Sequence, residues 1–572
     1  MVKAKNNNRS NRRRKDLMSF TMIVAILLLF NFSGSVFFKR FDLTSEKRYT
    51  LSESTRDMLA DLNDVVLIKV YLSPNVNAGF SRLRNETREI LDEFRAWAGN
   101  NIQFEFITPG EGVSQEEAVN IERQLFNKGI QPEGVMMREN GKTTQVTIWP
   151  GALVAYKGKE TVWQIFTRAT PDMDPDVAIN NSIEDLEYTL TNSIRKLQRT
   201  HKPEVTFLTG HHELDTLEQF QFMNALSEYY NVNYTRIVPG RELSTFKGSD
   251  ALVITKPDTS FTDKELFVID QFIMNGGKVL WLIDPVQTNL DSLKYGFTIG
   301  LNRPLGIEEL LFKYGARLNP VLLQDMQCGK LRMNVGLQRG QPRFELFDWL
   351  YHPVITGENT HPINKNLDAV KFEFCSTLDT IASAKGIKKT ILMSSSRHAR
   401  VQHTPARVYL GMVQTKWKKD QFKESFLPVA CLLEGQFNSF VEFRLPDTLL
   451  NNSEFKYRDH SKPTKMIVVA DGDVARNDVQ RSNGQVFPLG FDRNTQYVYG
   501  NKTFLLNCMN YLLDDEAMLQ LRAREVKLRL LDKDKIVNAR TKWQMINIAL
   551  PVAILALLAL FQAWWRKRRY TA

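Results

Sequence analysis

Residues 250–285 read DALVITKPDTSFTDKELFVIDQFIMNGGKVLWLIDP, and this stretch sets the fold class. The run from Asp250 to Thr255 is short and almost uniformly apolar, which fits a strand covered on both faces. Thr262 stands where an N-cap is needed, helical spacing runs on through Met274, and Gly276-Gly277 stops the helix. Lys278 to Asp284 then repeats the first pattern. A strand, a helix and a second buried strand in this order make a parallel crossover unit.

The same grammar extends on both sides. Val205 to His211 (VTFLTGH) reads as a strand, Leu217 to Tyr230 as a helix, Met466 to Ala470 as a further core strand, and Lys502 to Leu513 as a helix packed on the sheet. Between them, about 286 to 465, lie a helix at Ile307 to Tyr314 and many irregular strands. The expectation is an α/β fold with a doubly wound parallel sheet.

His201-Lys202-Pro203 separates this region from an N-terminal unit. There, Thr50 and Glu53 suggest a capping box opening a helix. Val65 to Leu72 is a strand, Ser81 to Ala98 an amphipathic helix, Ile102 to Ile107 a strand, and Gln115 to Lys128 a helix. Strands Gly134–Arg138 and Thr144–Ile148 flank an Asn140-Gly141 turn. A strand at Ala152 to Tyr156 and a long helix from Ile179 to Gln198 follow. With one strand of the three beyond Gly134 left over, this is the β-α-β-α-β-β-α order of thioredoxin-like folds, but the place where a redox helix would begin reads Ser73-Pro74-Asn75, with no thiol to do the chemistry.

Charge defines the ends. The net charge of +11 is held by seven basic residues within 1–15 and four at Arg566 to Arg569; the other 64 basic residues equal the 64 acidic ones. The basic excess therefore reports membrane topology and gives no support for nucleic-acid binding, which would put it on a folded face. Leu17 to Phe38 and Trp543 to Trp565 are free of charge, and each spans roughly 33 Å as a helix, enough to cross a bilayer. Trp543, Trp564 and Trp565 suit interfacial positions, and the basic tail before the first span places the N-terminus in the cytoplasm. Two spans return the chain to that side and put the body outside.

Candidate chemistry is sparse. Cys328, Cys375, Cys431 and Cys508 are far apart without C-x-x-C spacing, and lone buried thiols are expected in place of a metal site or a disulfide framework. Asn140-Gly141-Lys142-Thr143 carries the GKT of a phosphate loop, but Met136 replaces the first glycine and no helix is expected to follow. His211-His212-Glu213 with Asp215, and Asp471-Gly472-Asp473, each follow a core strand; both read as hydrogen-bonded turns, since neither supplies a full ligand set. No G-x-S-x-G or G-x-C-x-G elbow occurs, and Asp284-Pro285 closes its strand without a nucleophile.

Five stretches carry a family resemblance: RFDLTSEKRYTLSESTRDML (40–59), RLRNETREILDEF (82–94), residues 250–285 quoted above, GNKTFLLNCMNYLLDDE (500–516) and REVKLRLLDKDKIVNARTKWQMINIALP (524–551). Together they resemble the GldG family, auxiliary membrane components of an ABC transporter in gliding bacteria. The resemblance implies a permease partner, GldF, and an ATPase partner, GldA. It also implies that 200–510 is a glutamine-amidotransferase-like α/β domain related to one in an intraflagellar transport protein.

The expected organisation is a basic cytoplasmic tail (1–16), a transmembrane helix (17–38), a thioredoxin-like extracytoplasmic domain (39–200), an amidotransferase-like domain (201–515), a connector (516–542), a second transmembrane helix (543–565) and a basic cytoplasmic tail (566–572). In the connector, Val526, Leu528 and Leu530 alternate with basic residues and are expected to pair with Phe41 and Leu43. No catalytic, cofactor-binding or metal-binding residue is expected. The expected role is a non-enzymatic subunit of the inner membrane; a cell-envelope hydrolase and a binding module independent of any transporter are the alternatives.

Overall fold

The computed structural model describes residues 17–29, 50–166, 175–198, 202–238, 245–441, 457–513 and 533–570, with short gaps at 19, 28, 75, 140–141, 289–291, 294–295, 339, 359–360, 366 and 383–385. The N-terminal unit comprises α1 (Glu53–Ala60), β1 (Val66–Val70), α2 (Ala78–Ala98), β2 (Ile102–Phe106), α3 (Gln115–Lys128), β3 (Glu133–Glu139), β4 (Lys142–Ile148), β5 (Gly151–Tyr156), β6 (Lys159–Gln164), α4 (Pro175–Glu184) and α5 (Leu186–Gln198). Its main sheet runs β2-β1-β5-β6, with β1 and β2 parallel and the other pairs antiparallel.

Three local expectations change. Ser52 caps α1, accepting the Thr55 amide, so the Thr50–Glu53 box does not form. Glu187 of α5 fixes this helix start by accepting from the Ser52 amide at 2.7 Å and the Thr55 hydroxyl at 2.9 Å. Strands β3 and β4 form a separate hairpin, and the fourth place in the main sheet goes to β6, whose Trp163 is buried in the core. Finally, the long helix is two helices that break at Asp185.

The second unit begins with β7 (Glu204–Thr209), α6 (Phe220–Ser227), β8 (Asn231–Arg236), β9 (Ala251–Thr255), α7 (Asp263–Met274) and β10 (Lys278–Leu282). The middle follows with β11 (Val286–Gln287), β12 (Phe297–Asn302), α8 (Glu308–Tyr314), β13 (Ala316–Asn319), β14 (Val321–Asp325), β15 (Cys328–Gln338), β16 (Gln341–Ile355), β17 (Val370–Lys371), β18 (Thr377–Thr380), β19 (Ile387–Ser394), β20 (Ala399–His403), β21 (Ala406–Tyr409) and β22 (Pro428–Gly435). Then come β23 (Thr464–Val469), α9 (Asn501–Leu512) and α10 (Lys533–Tyr570).

Seven strands form the central sheet in the order β19-β22-β23-β10-β9-β7-β8. The five from β8 to β23 are parallel, while β22 and β19 extend the edge antiparallel. Successive side chains on each strand go to opposite faces. Phe207, Val253, Leu280, Leu282 and Ile467 therefore pack with Phe222 of α6 and Phe504 and Met509 of α9. Leu252, Ile254, Trp281 and Val468 meet Ile269 and Ile273 of α7 and Leu310 of α8 on the other face. Helices on both faces explain why the strand sequences show no polar alternation. The sequence reading missed β8 and did not place β19 and β22 in this sheet; the mixed burial patterns of β8 and β19 mark sheet edges and lack the continuous apolar signal, while β22 carries a buried apolar run inside the sheet.

The four cysteines are free thiols; three are buried and Cys328 is half-buried. Among the described residues one helical stretch, Lys542–Arg568 of α10, is long and apolar enough to cross a membrane, and none of its apolar window is buried. The described parts of 17–29 are helical and exposed. The proposed pairing of 39–43 with 526–530 lies outside the described residues, as does the Asn140-Gly141 turn.

Thr262 and Glu265 form a complete capping box at the start of α7, whose buried face is shared by eight residues. Replacement Thr262→Ala should cost about 1 kcal/mol, read as a lower denaturant midpoint with an unchanged slope.

Candidate functional site at the carboxyl edge of the sheet

Parallel strands end side by side, so residues that directly follow them converge even when far apart in sequence. Lys256 follows β9, Asp284 lies just beyond β10, and Asp471 to Asp473 lie just beyond β23. Lys256 adopts the left-handed region at φ 50°, and its amide still donates to Leu282 O at 2.8 Å. Its Nζ lies 3.1 Å from Asp284 Oδ2 and 2.5 Å from Asp473 Oδ2. Asp284 Oδ1 accepts the Gly472 amide at 2.5 Å.

The network continues with alternating sign. Arg476 reaches Asp473 Oδ1 at 3.0 Å and Glu373 Oε2 at 2.9 Å, and Glu373 Oε1 meets Lys371 Nζ at 2.9 Å. Asp471 lies behind it, accepting the Glu373 and Asp473 amides, each at 2.7 Å. Only a glycine fits at 472, because an added Cβ would come within 2.8 Å of Lys256 Cα.

Electrostatics follow from this layout. Burial opposes the Lys256 ammonium, but Asp284 and Asp473 outweigh it and raise its pKa. Burial also opposes the Glu373 carboxylate, which Lys371, His352 and Arg476 nevertheless hold well below its ordinary range. Asp473 is the leading cause that raises Arg476. Asp471 goes the other way: burial, then the Asp284 and Asp473 charges, push it well above the carboxylate norm. Burial also raises Asp284, although Lys256 and the Gly472 amide oppose the shift. Lys256, Arg476 and Lys371 thus alternate with Asp284, Asp473 and Glu373, and Asp471 lies behind them.

Carboxylate oxygens of Asp284, Asp471 and Asp473 lie within 4.8 Å of one another, close enough to share a metal ion. Lys256 already places a cation between two of them, so the protein supplies the charge itself. A protonated amine of this kind is no nucleophile at neutral pH. Cys375 is equally unreactive, because burial, followed by Asp471 and Asp325, pushes its thiol well up.

His352 is 4% exposed, and its Nε2 has no hydrogen-bond partner among the described residues. It packs edge-on against Phe374, with ring centroids 5.5 Å apart. Burial takes its pKa down to about 4; Glu373 opposes the shift and Lys371 assists it.

The structure keeps His211, Glu213 and Asp215 as a turn, as the sequence suggested, and adds one distant partner. His211 lies 3.3 Å from Glu213 and 3.3 Å from Glu265 of α7, stacked on Phe261. The two carboxylates overcome burial and raise its pKa. His212 faces Thr259, and Asp215 accepts the Leu217 and Glu218 amides. Lys142 and Thr143 lie in β4, and strands β5 and β6 follow where a phosphate loop needs a helix. Sequence reasoning found Asp284, Asp471 and Asp473 without joining them, and missed Lys256, Lys371, Glu373 and Arg476. The available signal was charge placed directly after apolar strands.

Residues 202–508, more than half of the sequence, match a family described as an ABC-type uncharacterized transport system. The chain belongs to that family. Residues 45–155 match a domain of unknown function. An uncharacterized protein of Borreliella burgdorferi is 20% identical, covering 97% of this chain and 99% of its own length. The mmIFT52 N-terminal domain aligns with 11% identity and a TM-score of 0.31, over 54% of this chain and 97% of that one. The exo-beta-1,4-mannosidase Op5Man5 from Opitutaceae bacterium strain TAV5 aligns with 10% identity and a TM-score of 0.20, over 70% and 46%. At such scores neither structure carries an argument. Within the ABC-type family match lie all seven charged residues of the network.

Replacement Lys256→Met leaves Asp284 without its cation and Asp473 with Arg476 alone. It should cost about 3 kcal/mol at pH 7, and the loss should shrink at low pH as Asp284, whose pKa burial already raises, takes up a proton; denaturation at neutral and acid pH measures both.

His352 gives a second pH signature. Its folded pKa of about 4 lies below the unfolded value of roughly 6.5, so the folded state binds fewer protons between them and stability falls as pH falls through that window. The raised Asp471 works in the opposite direction, which makes comparison with a variant necessary. His352→Leu should remove about 3 kcal/mol of the acid-side loss, seen as a shallower fall in unfolding free energy from pH 6.5 to 4.

Proposed function

We propose that this protein is a non-enzymatic, membrane-anchored accessory subunit of an ABC-type transport system. The observation that carries the reading is the family match over 202–508. The non-enzymatic part is supported by the chemistry at the carboxyl edge, where open α/β sheets hold their ligands. That edge carries a self-paired ion network, whose amine is protonated and whose neighbouring thiol, Cys375, is buried and held neutral.

The exposed apolar stretch Lys542–Arg568 is the membrane anchor in this reading, and Leu17 to Phe38 is a second one. Both tails lie in the cytoplasm and the body lies on the other side, in keeping with the seven basic residues before the first segment. In finer terms the chain is a GldG-type subunit, with GldF and GldA as its permease and ATPase, serving gliding motility; sequence resemblance supports that step. The first unit is then thioredoxin-like with the β3–β4 hairpin inserted, and the second is amidotransferase-like without its nucleophile.

Purification of the full chain from native membranes in mild detergent should bring down a permease and an ATPase, and the chain alone should hydrolyse neither ATP nor amides. Companions unrelated to transport, or turnover by the pure chain that a single substitution abolishes, overturn the reading. Reporter fusions after Lys15, in the 160s and after Arg569 check the topology, and a cytoplasmic signal from the middle site reverses it.

A further inference from the structure

The hairpin of β15 and β16 carries an unusual outer face. Antiparallel partners share a face, and the register pairs Lys330 with Asp348, Arg332 with Leu346, Asn334 with Phe344 and Leu337 with Pro342. The opposite face packs Leu331, Met333 and Phe347 against the core around Trp349 and Tyr351. The outer face is the solvent side, where antiparallel sheets normally place polar residues. Here it presents Leu337, Phe344 and Leu346 at 74%, 48% and 47% exposure. Leu337 near the tip is the most exposed large apolar side chain described between residues 50 and 513.

Charge accompanies the apolar tip. Residues 328–348 hold four basic residues (Lys330, Arg332, Arg339, Arg343) and two acidic ones. Lys330 pairs with Asp348 at 2.5 Å, and Arg343 pairs with Glu345. Arg332 lies with its guanidinium 4.4 Å from the centre of the Phe344 ring. The hairpin is thus apolar at its outer face and net positive, the pairing that suits an anionic bilayer surface, where aromatic and aliphatic side chains enter the headgroup boundary and arginines meet lipid phosphates.

We propose that the outer face of this hairpin rests on the anionic surface of the membrane that holds α10. The occupant is lipid, argued from charge complementarity and from tether length. Residues 514–532 can span at most roughly 70 Å, so Leu513 stays within that distance of the start of α10. The contact gives the body an attachment to the bilayer besides its membrane-spanning segments and sets which side faces the transport partner.

The inference rests on the anchoring of α10, and its test separates the two. A photo-crosslinking amino acid is placed singly at Leu337, Phe344 and Met333 of the full chain, and at Leu555 in the span, with the protein reconstituted in phosphatidylcholine vesicles with and without phosphatidylglycerol. Adducts to lipid at 337 and 344, absent at 333 and several-fold stronger with phosphatidylglycerol, are expected, with a lipid adduct at 555 in both. Arg332→Gln should weaken the adducts at 337 and 344 and leave that at 555 unchanged. A lipid adduct at 555 with none at 337 or 344 overturns the hairpin contact alone. No lipid adduct at 555 overturns the anchoring as well. The same probes in native membranes should also label lipid, and adducts to protein at 337 and 344 would replace the bilayer with a protein partner.

Discussion

The ammonium of Lys256, held between Asp284 and Asp473, is the constraint on which the second unit depends. Three parallel strands end at one edge; the loops after β10 and β23 bring three acids together, and the loop after β9 supplies Lys256. Without a cation those charges would repel in a poorly hydrated place, where removing one partner of an ion pair is costly. The chain resolves this by turning Lys256 into the left-handed region and stripping the side chain from residue 472. Arg476, Glu373 and Lys371 carry the pairing outward, which ties β17 and the strand-rich middle region to the central sheet.

A sheet coated on both faces explains much of the rest. Alternate residues of β9, β10 and β23 feed two separate cores, and each core draws on helices from different parts of the chain. That leaves the strand ends as the places where polar groups meet, which is why charge concentrates there. A membership in an ABC-type transport family gives this architecture its setting. The ion network cross-links the loops at that edge and joins them to the middle region.

Much of this was legible in residues 250–285 and their counterparts. The capped α7, its glycine stop and the two buried strands fall within a residue or two of the expected positions, because local caps and uninterrupted apolar runs have few alternative readings. The N-terminal helices at Ala78–Ala98 and Gln115–Lys128 were equally plain from their spacing. Edge strands were not: Asn231–Arg236 is half polar, and its place depends on Val205 and Phe207 pairing with it across the sheet. Nor does any local rule say that β3 and β4 leave the main sheet to Lys159–Gln164.

The sequence by itself determined the apolar periodicities, the caps, the basic tails and the absence of an elbow or a C-x-x-C, since each is a property of neighbours along the chain. The tertiary structure alone decided that Lys256, Asp284 and Asp473 share one site, and that His211 reaches Glu265. It also decided that Leu337 and Phe344 face outward together. Those facts are set by strand order, by the direction of parallel strands and by register; the charged partners lie tens to hundreds of positions apart, and electrostatic pairing at such distances leaves no trace in local spacing.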